Sequence, residues 1–326
     1  MKILLTGATG MVGQGLLRHL QSNANIRVRA ALRRANTEID GSKGIENVVL
    51  GDINATNDFT HYVLGMDVVV HAAARVHVMN DAAVDPLVEY RKINTEGTLN
   101  LARQAAFNGV KRFIFLSTIK VNGEATRPGS SFCKRDQPMP QDAYAISKWE
   151  AEQGLFETSA KTGMEVVILR APLVYGQGVG ANFLRLMRAV DRRTPLPFGL
   201  VDNCRSLIYL GNLVDAIVAC LDHPAAAGKT YLLSDGEDVS TPELINRLAK
   251  AFNRSPRLLP IPPVLMRWGG QLFGKGLEID RLLGSLVVDS SAILSEMGWM
   301  PPYSMQEGLQ VTASWYREKN PYEAHL

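Results

Sequence analysis

Hydrophobic residues follow two alternating patterns along this chain. Short, nearly continuous apolar runs have the length of strands, and between them lie longer segments whose apolar residues recur at helical spacing. The predicted strands are an opening strand from Lys2 and residues 26–32, 47–50, 66–71, 112–117, 166–170 and 230–233. The predicted helices cover residues 11–21, 85–108, 142–162 and 182–191. This alternation predicts an α/β fold.

The predicted strands are apolar at nearly every position. Val68, Val69 and Val70 follow one another, and residues 113–116 are again all apolar. A strand with one wet face would alternate apolar and polar residues, whereas strands of a parallel sheet are buried on both faces by helices. The sequence therefore predicts a doubly wound parallel sheet.

A glycine-rich turn follows the first strand. Gly7, Gly10 and Gly13 are spaced three apart, and the amphipathic segment 11–21 comes next. The absence of side chains lets backbone N–H groups and the positive end of a helix approach a pyrophosphate. An ordinary strand-to-helix turn is the alternative, but the repeated alternation after it favours a dinucleotide-binding unit of Rossmann type.

The length of 326 residues suffices for one large core and a smaller lobe. We expect a dinucleotide-binding domain at residues 1–178, to which residues 204–235 return in part. Residues 179–326, which are richer in proline and glycine, are expected to form mainly a substrate-binding lobe.

Composition argues against several classes of function. The net charge is +3 and the arginines are scattered, which argues against a nucleic-acid partner. Cys133, Cys204 and Cys220 show no CxxC spacing, which favours reduced thiols in the cytoplasm and no metal site. Prolines and Arg267 interrupt the apolar stretch 258–273, so we expect no membrane span, while a lid helix or a membrane-surface contact stays open.

Tyr144 and Lys148 provide the first candidate chemistry. They lie four residues apart in the predicted helix 142–162, so their side chains share a face. A lysine ammonium and an oxidised nicotinamide ring would lower the pKa of the tyrosine towards that of a general acid and base. The alternative is an exposed helix on which the tyrosine packs against the lysine stem.

Thr118 supplies a third element beside these two. It follows the predicted strand 112–117, and ligands of open α/β sheets bind at the carboxyl ends of the strands. Its hydroxyl would then lie beside the cofactor and could hold a substrate carbonyl or alcohol. Three elements in this order favour an oxidoreductase.

Over nearly its whole length the chain resembles the extended short-chain dehydrogenase/reductases of the nucleotide-sugar epimerase/dehydratase family. The matching motifs are residues 6–13, 51–53, 71–74, 94–98, Ser117-Thr118, Tyr144-x-x-x-Lys148, 169–176 and Trp299-x-Pro301. The resemblance implies that Thr118, Tyr144 and Lys148 form the catalytic triad.

The same resemblance implies two sets of binding residues. The cofactor set comprises Gly7, Thr9, Gly10, Met11, Val12, Gly13, Arg33, Arg34, Asp52, Ile53, Ala72, Ala73, Ala74, Asn94, Ser117, Tyr144, Lys148 and Pro172. The substrate set comprises Arg75, Lys120, Val121, Asn182, Arg205 and Arg281. Arginine suits a diphosphate because its planar fork donates two parallel hydrogen bonds.

Several positions depart from the family pattern. Ile119 and Lys120 stand where dehydratases of the family carry Asp-Glu, which argues against a 4,6-dehydratase. Asn122 replaces a tyrosine, and Leu173 replaces an asparagine that helps to hold the diphosphate in many epimerases. The grip on the nucleotide therefore differs in part from that of the family.

The end of the second strand bears on the choice of cofactor. An acidic residue there would bind the ribose hydroxyls of NAD, but this chain has Arg33 and Arg34, and no acid before Glu38. NADP(H) is therefore favoured, and NAD(H) with solvated arginines remains possible.

Two enzymatic hypotheses follow from the resemblance. The first is reduction of a UDP-4-keto-6-deoxy-N-acetylhexosamine at C4, as in UDP-N-acetylquinovosamine-type enzymes of bacterial polysaccharide synthesis, with Tyr144 as general acid. The alternative is a UDP-hexose 4-epimerase with bound NAD. A non-catalytic NADP-binding sensor is a minor alternative, and steroid-type alcohol oxidation shares the same triad.

The resemblance also implies a homodimer. In this family a helix pair corresponding to residues 85–108 and 142–162 forms the interface. The apolar residues that could serve there, or could equally belong to the core, are Val88, Leu99, Leu101, Trp149, Leu155 and Phe156.

Overall fold

Seven strands, all paired in parallel, form the main sheet of the computed structural model. The structure describes residues 1–35, 44–76, 85–272, 274 and 276–320. The strands are β1 (Lys2–Thr6), β2 (Arg27–Leu32), β3 (Ile45–Val49), β4 (Val68–His71), β5 (Arg112–Thr118), β6 (Glu165–Ala171), β7 (Leu173–Tyr175), β8 (Arg205–Tyr209), β9 (Lys229–Leu232) and β10 (Asp238–Val239). The main sheet has the order β3-β2-β1-β4-β5-β6-β9. The predicted doubly wound parallel sheet is confirmed.

Helices cover both faces of this sheet. The described helices, of which some lie away from the main sheet, are α1 (Met11–Leu20), α2 (Thr60–Val63), α3 (Pro86–Tyr90), α4 (Thr98–Phe107), α5 (Ala143–Thr162), α6 (Ala181–Asp191), α7 (Leu210–Ala219), α8 (Thr241–Ala251), α9 (Pro263–Leu272), α10 (Gly276–Leu283), α11 (Ser291–Met297) and α12 (Met305–Lys319). Among these described helices none is both long and apolar enough to cross a bilayer.

A second, three-stranded sheet lies beside the main one. β8 pairs in parallel with β7 and antiparallel with β10. The chain then returns to the main sheet, where β9 pairs with β6. The predicted strand at 230–233 is thus found one residue earlier, and β8 belongs to the small sheet. The division into two domains stays a prediction.

The predicted helix 85–108 is interrupted. Between α3 and α4 the turns widen into a π-helical segment, Arg91–Gly97. Such widened turns are rare and cluster at functional sites. A Cβ at Gly97 would lie 2.8 Å from the backbone of Ile53, so this segment passes directly against the loop after β3. Hydrophobic periodicity cannot distinguish this geometry from an ordinary α-helix.

Alternate residues of each strand enter two different cores. Ile3 and Leu5 of β1 pack in one core with α1 and α7. Leu4 packs in the other core with Leu101 of α4 and Leu155 of α5. This period of two explains why the strands are apolar throughout.

The six apolar residues proposed for either a dimer interface or the core differ in how far they are buried. Leu101 and Leu155 are fully buried beneath their own helices, so their place is the core. Val88 on α3 is exposed, and Leu99, Trp149 and Phe156 are half-buried. The homodimer itself stays a prediction.

A buried ion pair fixes α5 against the sheet. Nη2 of Arg170 on β6 lies 2.5 Å from Oε2 of Glu152 on α5, and both side chains are buried. Ser117 Oγ on β5 donates to the same carboxylate at 2.5 Å, and Arg170 Nη1 donates to Asn122 Oδ1 at 2.9 Å. The Glu152 carboxylate thus joins a helix to two strands, and Arg170 extends the link to the turn after β5.

Removal of Arg170 should be costly. Arg170→Met leaves the Glu152 carboxylate buried without its counter-charge, and we expect the free energy of unfolding to fall by about 3–5 kcal/mol. Urea denaturation followed by circular dichroism measures this change. The matched control is Glu46→Gln, which breaks the ion pair to Arg29 at a glutamate whose side chain is 61% exposed; it should cost less than about 1 kcal/mol. Equal losses in the two variants would contradict this interpretation.

Candidate active site

The glycine turn after β1 is packed tightly against the loop after β4. Gly7 has a φ of +73°, and a Cβ there would lie 2.7 Å from the carbonyl carbon of Ala72. A Cβ at Gly13 would overlap the Gly7 carbonyl oxygen. No other residue type fits these two positions without movement of the backbone.

The amino-terminal end of α1 directly follows this turn. Gly10 precedes α1 without a side-chain cap, and the first turn carries no acidic residue. Thr9 is exposed, and Met11 and Val12 are half-buried. The first N–H groups of a helix have no intrahelical partner, and the helix dipole favours an anion there. The turn therefore fits the pyrophosphate of a dinucleotide.

The residues predicted around the adenosine end lie at the ends of β2 and β3. Arg33 and Arg34 are exposed directly after β2. Asp52 is exposed after β3, and Ile53 is half-buried against Gly97. Glu38 lies outside the described residues. Each predicted cofactor contact here stays a prediction.

Asn94, in the π-helical segment, holds the loop after β4. Its Nδ2 donates to the Arg75 carbonyl at 3.0 Å and to Ser147 Oγ at 3.1 Å, and its Oδ1 accepts from the Arg75 amide at 2.8 Å. Asn94 is buried. The amide thus ties the segment that contains Ala72, Ala73 and Ala74 to α5, a link that the sequence pattern did not predict.

His71, at the end of β4, is an internal hydrogen-bonding residue. Its Nδ1 lies 2.7 Å from Thr6 Oγ1 and its Nε2 2.9 Å from Thr98 Oγ1. Burial, with a smaller effect from the Lys148 charge, lowers the pKa of His71 to about 3. The ring is therefore neutral and cannot serve as a general acid at neutral pH.

Ser117 and Thr118 point to different partners at the end of β5. Ser117 Oγ bonds to Glu152 inside the protein, whereas Thr118 Oγ1 accepts from the Lys120 amide at 3.3 Å. Side chains alternate along a strand, so only one of the two can project towards a ligand on a given side. The contacts favour Thr118 over Ser117 as the residue that projects towards a ligand.

Tyr144 lies in the first turn of α5. Asp142 caps this helix, since its Oδ1 accepts from the Ala145 amide at 2.7 Å. The Tyr144 ring packs edge to face with Tyr90, with ring centroids 6.1 Å apart. The guanidinium of Arg75 lies over the ring of Tyr90, 5.5 Å from its centroid.

The protein groups around Tyr144 raise its pKa. Burial is the largest cause, followed by the charge of Asp142 and the neighbouring Tyr90. We expect Lys148 together with an oxidised nicotinamide ring to lower this pKa, whereas the protein groups alone raise it. The physical reason is that burial disfavours the charged phenolate.

Lys148 is itself buried. Its Nζ lies 3.8 Å from the ring centroid of Phe115 on β5, in a cation–π contact. Burial lowers the pKa of Lys148 to about 7, and the Glu152 carboxylate opposes that shift. The ammonium is therefore poised to lose its proton near neutral pH.

Lys120, Arg205 and Arg281 are brought together through two carboxylates and one backbone segment. Lys120 Nζ lies 2.7 Å from Asp142 Oδ2 and 3.1 Å from Glu124 Oε1, and Arg281 Nε lies 3.4 Å from Glu124 Oε2. Arg205 Nη1 donates to the Arg281 carbonyl at 2.6 Å.

Burial and hydrogen bonds shift the pKa values of two residues in this cluster. Burial alone would raise the pKa of Asp142, but hydrogen bonds from Lys120 and the Ala145 amide outweigh it and hold the pKa below its usual range. Burial lowers the pKa of Arg205. Glu124 was not predicted as a site residue, although it lies two residues after Asn122.

The remaining predicted residues lie apart from this cluster. The Val121 side chain is fully buried, and its carbonyl accepts from the Met139 amide at 2.9 Å. Pro172 is buried between β6 and β7. Asn182 is exposed on α6, where its Oδ1 accepts from Arg185 Nη1 at 3.4 Å. Their predicted contacts with cofactor or substrate stay predictions.

Comparison with known proteins gives a consistent result. Residues 3–234 match the model of the NAD dependent epimerase/dehydratase family. A UDP-glucose 4-epimerase of Vibrio cholerae is 48% identical over 319 residues, which cover 98% of this chain and 96% of that protein. An N-acetyl-alpha-D-glucosaminyl-diphospho-ditrans,octacis-undecaprenol 4-epimerase of Escherichia coli O157:H7 is 26% identical and covers 95% and 93%.

Solved structures share the fold. A UDP-glucuronic acid 4-epimerase from Bacillus cereus, in complex with UDP-glucuronic acid and NAD, superposes with a TM-score of 0.80 at 21% identity, covering 98% of this chain and all of that one. A UDP-glucose 4-epimerase from Thermotoga maritima gives 0.77 at 21%, covering 98% and 99%. At this identity the likeness establishes the architecture.

Replacement of Lys148 by Met should stabilise the protein below neutral pH. In the unfolded chain lysine keeps its proton to about pH 10.4, whereas in the folded protein its pKa is about 7. Between these values the unfolded chain binds more protons, so the wild-type free energy of unfolding rises with pH relative to the variant's. One pKa unit corresponds to about 1.4 kcal/mol.

We therefore expect Lys148→Met to be more stable than the wild type at pH 6.5 by more than about 1 kcal/mol, and the difference to shrink at pH 9.5. Urea denaturation of both proteins at both pH values measures it; His71, whose pKa the Lys148 charge lowers, stays neutral in the folded protein over this range. A difference that does not change with pH would show that the Lys148 pKa is not lowered.

Proposed function

The chain belongs to the NAD dependent epimerase/dehydratase family, and from that premise we propose that it is a UDP-hexose 4-epimerase. Membership confirms the predicted enzyme class. The observation that carries the finer proposal is the 48% identity, over nearly the full length of both chains, to a UDP-glucose 4-epimerase. Relatives this similar throughout usually keep both the site and the chemistry, so we propose UDP-glucose and its 4-epimer as the substrate pair.

This proposal reverses the order of the two hypotheses drawn from sequence. The sequence favours reduction of a 4-keto sugar through its resemblance to bacterial polysaccharide enzymes and through Arg33 and Arg34, which suggest an exchanging NADP(H). The relatives favour the epimerase. The absence of Asp-Glu after Thr118 argues against a dehydratase and is compatible with either hypothesis.

We propose NAD as the bound cofactor. The glycine turn and the uncapped end of α1 would hold its pyrophosphate, because only backbone approaches that space. When bound, NAD supplies a hydride acceptor, and later a hydride donor, for C4 of the sugar. Arg33 and Arg34 are exposed, so they can remain solvated beside a ribose without binding a 2′-phosphate.

Tyr144 acts in this proposal as the general base and acid at the C4 oxygen. It takes the hydroxyl proton while C4 is oxidised, and it returns a proton after the keto sugar has turned its other face to the cofactor. The protein around Tyr144 raises its pKa, so the tyrosine would keep its proton without cofactor and would release it to solvent when the positively charged nicotinamide ring is bound. Lys148 contributes positive charge from the same helix face.

Thr118 orients the reacting oxygen, and the charged cluster holds the diphosphate. Thr118 ends β5 and has a hydroxyl whose proton is available, since Oγ1 accepts from the Lys120 amide. Arg281 is half exposed and lies 3.4 Å from Glu124, a spacing too long for a good hydrogen bond. A diphosphate could therefore engage Arg281 without breaking a strong ion pair.

The decisive variant for the proposed reaction is Tyr144→Phe. It removes the group that moves the proton while leaving the ring contact with Tyr90, so we expect epimerisation of UDP-glucose to slow by about 10²–10⁴-fold. Product formation is followed by NMR with no added cofactor. The nucleotide released from both proteins by heat should be NAD, identified by mass spectrometry, because binding does not require the phenol.

Tyr62→Phe is the matched control. It removes a hydroxyl that donates to the Val49 carbonyl, away from the candidate site, and should leave the epimerisation rate unchanged. A Tyr144→Phe variant as fast as the wild type would refute the role of the tyrosine. Release of NADP instead of NAD would restore the cofactor preference predicted from Arg33 and Arg34.

A further inference from the structure

Helix α9 presents an apolar face to solvent that the candidate active site does not use. Val264, Trp268 and Leu272 are spaced four apart, and their exposed fractions are 71%, 65% and 66%. This spacing places them on one side of the helix. Leu265, next to Val264, is also exposed. We call these four residues the α9 face. Several large apolar side chains clustered in this way mark an interaction site.

Two loops near the start of α9 add exposed leucines. The Leu196 amide donates to the Arg257 carbonyl and the Leu259 amide to the Leu196 carbonyl, both at 2.8 Å, so the segments are held together. Leu200 and Leu259 are half exposed where these segments meet. The apolar surface is therefore supported by backbone hydrogen bonds.

The same part of the chain is strongly basic. Residues 179–201 and 244–277 contain ten of the 35 Lys and Arg residues and only one of the 32 Asp and Glu residues, Asp191. That aspartate is buried and lies 3.6 Å from Arg254. The rest of the chain holds 25 basic and 31 acidic residues. These segments, which carry the α9 face and the loops near its start, therefore have a net positive charge, although Asp202, Glu243 and Glu278 border them directly in sequence.

We propose that the α9 face docks on an anionic lipid surface. An apolar stripe that includes a tryptophan, in a part of the chain where basic residues outnumber acidic ones, is typical of helices that lie in the membrane interface. Ten residues span about 15 Å, half the thickness of the hydrocarbon core, so α9 lies along the surface. Trp268 sits at the headgroup level, where indole rings are favoured.

Charge selects lipid over a second copy of the chain. A symmetric dimer through this face would bring the same basic segments of two protomers together, and like charges across an interface are unfavourable. An anionic membrane instead attracts every lysine and arginine within a Debye length. One acidic residue, Asp280, contacts α9: its Oδ1 lies 3.1 Å from Nε of Arg267.

Docking would orient the candidate active site. Asp280 and Arg281 are neighbours on α10, and Arg281 contacts Glu124 of the charged cluster. The α9 face is therefore one helix away from residues proposed to hold the substrate diphosphate. The substrate side of the protein would face the membrane surface.

Vesicle flotation tests the proposal on the full chain. We expect the protein to float with phosphatidylcholine vesicles that contain phosphatidylglycerol, to remain below with pure phosphatidylcholine, and to be released by high salt. The double variant Trp268→Ser/Leu272→Ser should lower the bound fraction at least about tenfold. The matched control, Phe107→Ser, changes a residue on α4 that is 91% exposed and should bind as the wild type does.

Sedimentation velocity on the same proteins tests whether a second copy of the chain, instead of lipid, covers the α9 face. The proposal is overturned if the wild type does not float with the anionic vesicles, or if the double variant floats as well as the wild type. It is also overturned if the wild type is a dimer that the double variant alone makes monomeric, because a second copy would then cover the α9 face. Equal thermal unfolding temperatures establish that the variants are folded, as expected for exposed positions.

Discussion

The buried carboxylate of Glu152 fixes the geometry on which the candidate active site depends. It accepts from Arg170 on β6 and from Ser117 on β5 while it stands on α5. Thr118 follows Ser117, and Tyr144 and Lys148 precede Glu152 on the same helix. A buried charge tolerates little displacement, because any lost contact leaves it uncompensated in a medium of low polarity. The three proposed catalytic residues are thereby held in one frame.

Low polarity also explains the electrostatics of the site. The pKa of Lys148 is lowered, that of Tyr144 is raised and His71 is kept neutral, and burial is the largest cause in all three cases. Each shift disfavours charge. A positively charged ligand ring would therefore act strongly on Tyr144, since few charges of the protein compete with it. We therefore expect the pKa of Tyr144 to depend on whether the cofactor is bound.

Features that depend on local pattern could be predicted from the sequence. Three successive valines at Val68–Val70 require burial on both faces, and Gly7 and Gly13 leave room only for backbone, so the parallel sheet and the glycine turn followed directly. Contacts between distant residues could not be predicted. The spacing of Ser117 and Thr118 does not reveal that the first is bound to Glu152. Nor does a pair four residues apart show that burial raises the pKa of Tyr144.

The fate of the hydrogen at C4 tests the proposed reaction most directly. UDP-glucose deuterated at C4 is incubated with the purified protein, without added nicotinamide nucleotide, and the products are resolved by NMR. We expect UDP-galactose that retains deuterium at C4, because hydride leaves and returns within one site. Absence of UDP-galactose, or UDP-galactose that has lost its deuterium at C4, would contradict a 4-epimerase that retains its cofactor.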